Sequence, residues 1–384
     1  MRRAIAAALL SAFLLCTAAG AEYEAREEDA QDTVRAVIDE QIELMTPERF
    51  DEYIGEQSSI LYGKRDSRSI IRSIVEGEGI GDAHDVLQRL WAAVQDELKS
   101  GMRLGAWLTA IALLCAAAGA FLEGGDAVGA ASRAVCASAA VTVAGRAFME
   151  AAAQGAASVG QMCGMVRAAV PVMAGLLLSG ARAISATSYP VVIMLIAGIT
   201  NEITVRLFLP LLYGYCALKA ADCAFCSGRF QAVCRLLKNA MTWGLGLTFS
   251  VFTGLIAING ASLSVADGIG VQTMKFAVSS FVPVVGSAIS NASQIVLGCA
   301  GLLRAAFGTF AAALCIGMCT LPAVRILCLM LVLRCAAAVS QIIGGELWKL
   351  YEGFADAAGL LLAMLAGTAI LFIISVSMLC VRSV

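Results

Sequence analysis

Charged side chains set inside long apolar runs are the residues of this sequence best placed to do chemistry, because an ionised group at the centre of a bilayer costs several kcal/mol unless it is paired. Arg146 and Glu150 stand four residues apart, a spacing that puts both on one helix face, and read as an intramembrane ion pair. Glu202 and Arg206 repeat the spacing, but Thr200 and Asn201 before them have the composition of a turn, which would leave this pair in a short loop that only sets topology. Arg325 and Arg334 have no acidic neighbour in sequence, and their long stems would let them snorkel from helix ends. The run KFAVSSFVPVVGSAISNASQIVLGC, residues 275–299, is long enough to cross a bilayer yet holds Pro283, Gly286, Asn291 and five serines. Lipid supplies no partners for backbone amides, so such a break is tolerated where it faces protein or water. Lys275, Pro283, Gly286 and Asn291 are therefore expected at a broken helix beside a conduit.

Other chemistry finds little support. Cys223-Ala-Phe-Cys226 with Cys234 is a single CxxC without a second pair or a histidine, which is weak for zinc, and no redox fold surrounds it. His84 is the only histidine and reads as a solvated helix cap. There is no phosphate-binding Gly-rich loop, no Gly-x-Ser-x-Gly turn and no His-Glu-x-x-His. The sequence thus offers no catalytic residues, no cofactor site and no metal site, and its acidic N-terminal part argues against nucleic acid as a partner.

The elements that carry these charges are apolar helices. Hydrophobic residues make up 59% and charged residues 15%, well below the roughly 25% charged of a soluble domain, which marks a polytopic membrane protein. Ten apolar segments can be drawn, at 104–122, 134–152, 166–183, 190–200, 205–218, 241–258, 276–303, 305–321, 326–343 and 360–380. Several fall short of 18 residues, so six to nine crossings are expected. Small residues such as Gly244, Gly246, Gly254, Ala311, Gly317 and Ala337 would let these helices approach closely. No internal repeat is evident.

Arg2 and Arg3 ahead of an apolar run, closed by Ala19-Gly20-Ala21, fit a secretory signal over residues 1–21. Residues 22–100 then hold 20 of the 29 acids against 9 basic residues, and contain no cysteine. Helical spacing recurs there through Val34, Val37, Ile38, Ile42 and Met45, and again through Val86, Leu87, Leu90, Trp91, Val94 and Leu98. The expected fold is therefore all-α: a signal peptide, a small extracytoplasmic helical domain at 22–100, and a multi-span membrane domain at 101–384. Residues 219–238 carry Lys219, Arg229, Arg235 and Lys238 against Asp222 alone, and the positive-inside rule makes this loop cytoplasmic. Phe230, Val233, Leu236 and Leu237 share one face among those bases, which reads as an interfacial helix. Arg229, Arg235 and Lys238 are its candidate contacts with membrane lipids or a cytoplasmic partner.

The run at 275–299, with GRFQAVCRLLKNAMTWGLGLTFSVFTGLIAINGASLSVADGIGVQTMKFAV at 228–278, resembles the stage III sporulation protein AE family of endospore-forming bacteria. The likeness is strongest from 190 to 345, weaker over 101–188, and only architectural before that. It implies a non-enzymatic polytopic subunit of a sporulation-specific, secretion-like channel complex between mother cell and forespore, needed for late forespore gene expression. It implies as partners other stage III sporulation membrane proteins, including a mother-cell ATPase and ring-forming proteins. The implied location is the mother-cell-derived outer forespore membrane, and self-association into a homo-oligomer stays open. A free-standing secondary transporter with its substrate site at Pro283 is the rival reading. It would need paired half-sequences and a coupling charge, for which Lys275 is the nearby candidate.

Overall fold

A chain this apolar must satisfy its backbone amides within its own helices, and nearly all the described residues are helical. The computed structural model describes residues 67–75, 83–121, 126–179, 183–225, 228–281, 286–343 and 347–380, all within the compact unit Glu48–Val384. In chain order the helices are α1 (Ser67–Val75), α2 (Ala83–Phe121), α3 (Asp126–Ser179), α4 (Ala183–Glu202), a π-helical segment (Ile203–Phe208), α5 (Leu209–Phe225), α6 (Gln231–Phe281), α7 (Gly286–Ile342) and α8 (Trp348–Cys380). No strand occurs among the described residues. The all-helical fold expected from composition is the one observed. The signal and the stripe from Val34 to Met45 lie outside the described residues.

Six of these helical stretches are long and apolar enough to cross a membrane: Gln88–Ala118, Ala134–Leu178, Pro190–Ala224, Gln231–Asn259, Gly301–Ile342 and Trp348–Ser377. Segments that looked separate in sequence have merged. The pair at 134–152 and 166–183 lies on α3, which passes through Gly155, Gly160 and Pro171 without a turn. Its small residues serve packing rather than loop formation: a Cβ at Gly155 would touch Ile326 and Leu361 at 3.6 Å. The pair at 305–321 and 326–343 lies on α7, which carries Pro322 in its interior.

Thr200 and Asn201 are helical, contrary to the turn their composition suggested. The irregularity comes just after them, where the backbone widens and the Leu209 N–H donates to the Thr204 carbonyl, five residues back. Pro210 explains the position, since its ring would clash with the carbonyl of Arg206 in a regular α-helix, and a π turn relieves that clash without exposing backbone. The segment at 276–303 is shared by α6, described to Phe281, and α7, described from Gly286. Between Ser100 and Gly101, where the charge balance changes, α2 continues unbroken.

α3 and α8 form the centre of the bundle, each with 50% of its apolar window buried, whereas α2 has 11%. α8 packs against α7, α3, α5 and α6, and α7 also covers α2 and α3. Phe148 of α3 sits edge-on to Tyr213 of α5 and to Phe354 of α8, with centroids 6.4 and 5.9 Å apart. Glycines set the closest approaches. Gly101 and Gly105, one turn apart on α2, face Val332 of α7, which would stand 3.0 and 3.2 Å from an added Cβ. On α8, a Cβ at Gly367 would lie 2.2 Å from the Phe249 ring of α6. Gly244 abuts Phe208 in the same way, but Gly246 and Gly254 face open space.

Phe249 inserted against Gly367 gives a direct test. Gly367→Ala should destabilise the protein in detergent by about 1–3 kcal/mol, the usual range for overpacking, and Phe249→Ala in the same chain should recover much of the loss. Gly246→Ala, with nothing within 4 Å, should leave thermal unfolding unchanged.

Candidate functional site

The turn between α5 and α6 brings the first charged groups together. Gly228 adopts a left-handed φ of 57°, which glycine accepts without a Cβ penalty, and the chain reverses there. The Phe230 N–H donates to Asp222 Oδ1 at 3.3 Å, fixing the reversal. α6 then starts at Gln231 and runs on to Phe281, so the amphipathic stretch expected to lie in the interface is instead the first turns of a long helix. Phe230, Val233 and Leu236 remain exposed on it, as do Arg229 and Arg235.

Lys238 points the other way. Its Nζ donates to Asp356 Oδ2 of α8 at 2.6 Å, a partner 118 residues on, with the two side chains 40% and 25% exposed. Beside it the stem of Lys219 crosses Gly353 so closely that an added Cβ would lie 2.9 Å from the Lys219 chain. The Lys219 ammonium stands 5.9 Å from the centroid of the Tyr215 ring. Tyr351, fully buried one turn earlier on α8, donates its hydroxyl to the Leu108 carbonyl of α2 at 3.0 Å. Three helices are thus tied to the start of α8 by groups that need partners in a low-dielectric setting.

The pair expected at Arg146 and Glu150 is formed with a third member. Arg146 Nε lies 3.6 Å from Glu150 Oε1, and Arg325 Nη2 of α7 lies 3.6 Å from Glu150 Oε2. Both contacts are long for direct hydrogen bonds, so Glu150 acts as a shared counter-charge between two arginines. Together with Glu97 and Ser100 of α2, Glu150 and Arg325 line a cleft of about 200 Å³. Glu202 and Arg206 pair at 2.7 Å on an exposed helix face, where the π-helical segment begins. Thr200 and Thr204 are buried beside them, 1% and 3% exposed.

Of the residues expected at a conduit, Lys275 lies within α6, Gly286 opens α7 and Asn291 follows in its second turn. Pro283 and the side chains of the other three lie outside the described residues. Sequence reasoning missed Asp356, Tyr351 and Arg304. Asp356 falls at the edge of the last apolar run, where it reads as a boundary. Arg304, only 3% exposed, falls between two apolar runs in sequence, and nothing local marks it as interior.

Removing either member of the Lys238–Asp356 pair leaves its partner half-enclosed. Asp356→Asn and Lys238→Gln should each lower unfolding stability in micelles by about 1–2 kcal/mol, typical of a charged hydrogen bond and below the cost at a fully buried pair. The double variant should cost less than the sum of the two, with Arg235→Gln near neutral. Strict additivity in that cycle would mean the contact contributes nothing.

The profile of a family described as Stage III sporulation protein AE matches residues 65–383. Stage III sporulation protein AE of Bacillus subtilis (strain 168) is 28% identical over 184 residues, which cover 48% of this chain and 46% of that relative. The aligned part therefore spans less than half the length of the relative. No solved structure matches. Since the profile takes in every described helix, and six of those stretches are long and apolar enough to cross a membrane, the chain belongs to the stage III sporulation protein AE family and is an integral membrane protein of sporulation.

Proposed function

We propose that this chain is a non-enzymatic membrane subunit of a sporulation-specific, secretion-like channel complex linking mother cell and forespore, and that late forespore gene expression requires it. The observation that carries the reading is the family match over 65–383, which coincides with the helical bundle. In this reading the protein sits in the mother-cell-derived outer forespore membrane, with residues 22–100 outside the cytoplasm. The end of the bundle bearing Lys219, Arg229, Arg235 and Lys238 faces the mother-cell cytoplasm, in keeping with the positive-inside rule. The exposed Arg229 and Arg235 are the groups there free to meet a cytoplasmic partner or anionic lipid. Energy for transport comes from a separate ATPase, and ring-forming proteins continue the path between the membranes. The α6 to α7 junction around Pro283, flanked by Lys275, Gly286 and Asn291, lines or gates the conduit.

Affinity capture from membranes of sporulating cells in mild detergent, with co-purifying chains identified by mass spectrometry, tests the assembly. An ATPase and ring-forming sporulation proteins should be recovered together with this chain. Recovery of this chain alone, with a known complex preserved in parallel, would favour the free-standing transporter. Replacing Pro283 and Gly286 by leucine should leave membrane insertion intact but reduce spore yield by orders of magnitude, and full sporulation in that variant would reduce the junction to packing.

A further inference from the structure

A second cavity, of about 420 Å³, opens where α7 ends and α8 begins, and is lined by Arg334, Gln341, Trp348, Glu352 and Asp356 among others. Its charges are unusual in arrangement. Asp356 is already neutralised by Lys238 at 2.6 Å. That leaves one guanidinium, Arg334, and one carboxylate, Glu352, both exposed, lining one cavity without pairing with each other. A lining with one separated cation and one separated anion is complementary to a zwitterion rather than to an ion of single sign.

The surroundings say what kind of zwitterion fits. Ala357 onward in α8 and Met241 onward in α6 are apolar for the length of a bilayer leaflet or more. The cavity therefore lies at the level where headgroups sit. Trp348, with an apolar body and one N–H donor, is the side chain typical of that level, and the Lys349 ammonium is held 5.8 Å from its ring centroid. On α7, Leu327 and Leu331 precede Arg334 at the four- and three-residue steps that keep them on one helix face, and both are exposed. This gives an apolar track running from the cavity away from the helix end.

We propose that this cavity is a binding site for a zwitterionic phospholipid with a primary ammonium, phosphatidylethanolamine being the simplest. The phosphate takes Arg334, with charge-assisted N–H donation to its oxygens, and Gln341 donates alongside it. The ammonium donates to Glu352. The acyl chains lie along Leu331 and Leu327. A choline headgroup has no N–H to donate to Glu352, and a glycerol headgroup carries no cation, so both are poorer fits.

The full chain, delipidated in detergent and reconstituted in nanodiscs of equimolar phosphatidylethanolamine, phosphatidylcholine and phosphatidylglycerol with the same acyl chains, provides the test. Lipid retained after mild re-extraction is read by native mass spectrometry. Phosphatidylethanolamine should be retained about tenfold over phosphatidylcholine, the factor one charged hydrogen bond supplies. Glu352→Gln should abolish the enrichment and Arg334→Gln should lower retention of all three lipids, while Arg229→Gln changes neither. The exchanged variant Arg334→Glu with Glu352→Arg should regain part of the enrichment, which separates loss of the site from loss of the fold. Soluble phosphoethanolamine at equal molarity should not displace the lipid. Enrichment of phosphatidylglycerol instead, enrichment untouched by Glu352→Gln, lipid retention untouched by Arg334→Gln, no enrichment at all, or full displacement by phosphoethanolamine would each overturn the assignment.

Discussion

Hydrocarbon leaves a backbone amide no partner outside its own helix, and the rest of this structure depends on that constraint. Proline does not break the bundle where it normally would. α3 carries Pro171, α4 Pro190 and α7 Pro322 in their interiors, and each helix continues. At Pro210 the strain is absorbed by widening the preceding six residues into a π-helix, which keeps the carbonyls within reach of donors while re-aiming the chain. The cost moves from the backbone to the side chains, whose polar members must then find partners across helices.

They find them in a narrow band. Phe148 meets Phe354, Lys238 meets Asp356 and Tyr351 reaches Leu108, which puts the middle of α3 and α2, the start of α6 and the start of α8 at one level. Glu150 reaches α7 through Arg325, nine residues and about 13 Å along that helix from Arg334. From Lys238 to Ile258 on α6 is about 30 Å at 1.5 Å per residue, and from Asp356 to Ser377 on α8 is about the same. Both equal the hydrocarbon thickness of a bilayer. Lys238 and Asp356 thus stand together one hydrocarbon thickness from the far ends of these two apolar runs, and their pairing spares each from facing lipid alone.

Class and composition were legible because they are sums over many residues: apolar length gives helices, and the family likeness follows the same stretches. Local periodicity also put Arg146 and Glu150 on one face of α3, where their side chains lie 3.6 Å apart. What escaped was anything decided by a contact distant in sequence. Arg325 looked unpaired because Glu150 lies on another helix. Gly155, Gly367 and Gly101 looked like any other glycines, and only the neighbours Ile326, Phe249 and Val332 show that they set interhelical distance. Conversely Gly246 and Gly254, expected at contacts, face open space. Segment boundaries failed for a related reason, since small or charged residues inside a long helix have the same composition as a loop.

Lys238 shows how one residue can act at two stages. Topology is set while helices enter the membrane, when a lysine near a helix end acts as a bare positive charge. At that stage Asp356, 118 residues further along, has yet to be made or inserted. In the orientation proposed above, Lys219, Arg229, Arg235 and Lys238 therefore all count towards retention in the cytoplasm. Once α8 arrives, Asp356 takes Lys238 and the Lys219 stem closes over Gly353. In that orientation the charge that retains the start of α6 is also the one that fastens it to α8, and Arg229 and Arg235 stay exposed beside it. A rule that counts charges along the sequence and a structure that shows half of them turned inward describe successive states of the same chain, which is why Lys238 reads as a surface contact in one and as an internal tie in the other.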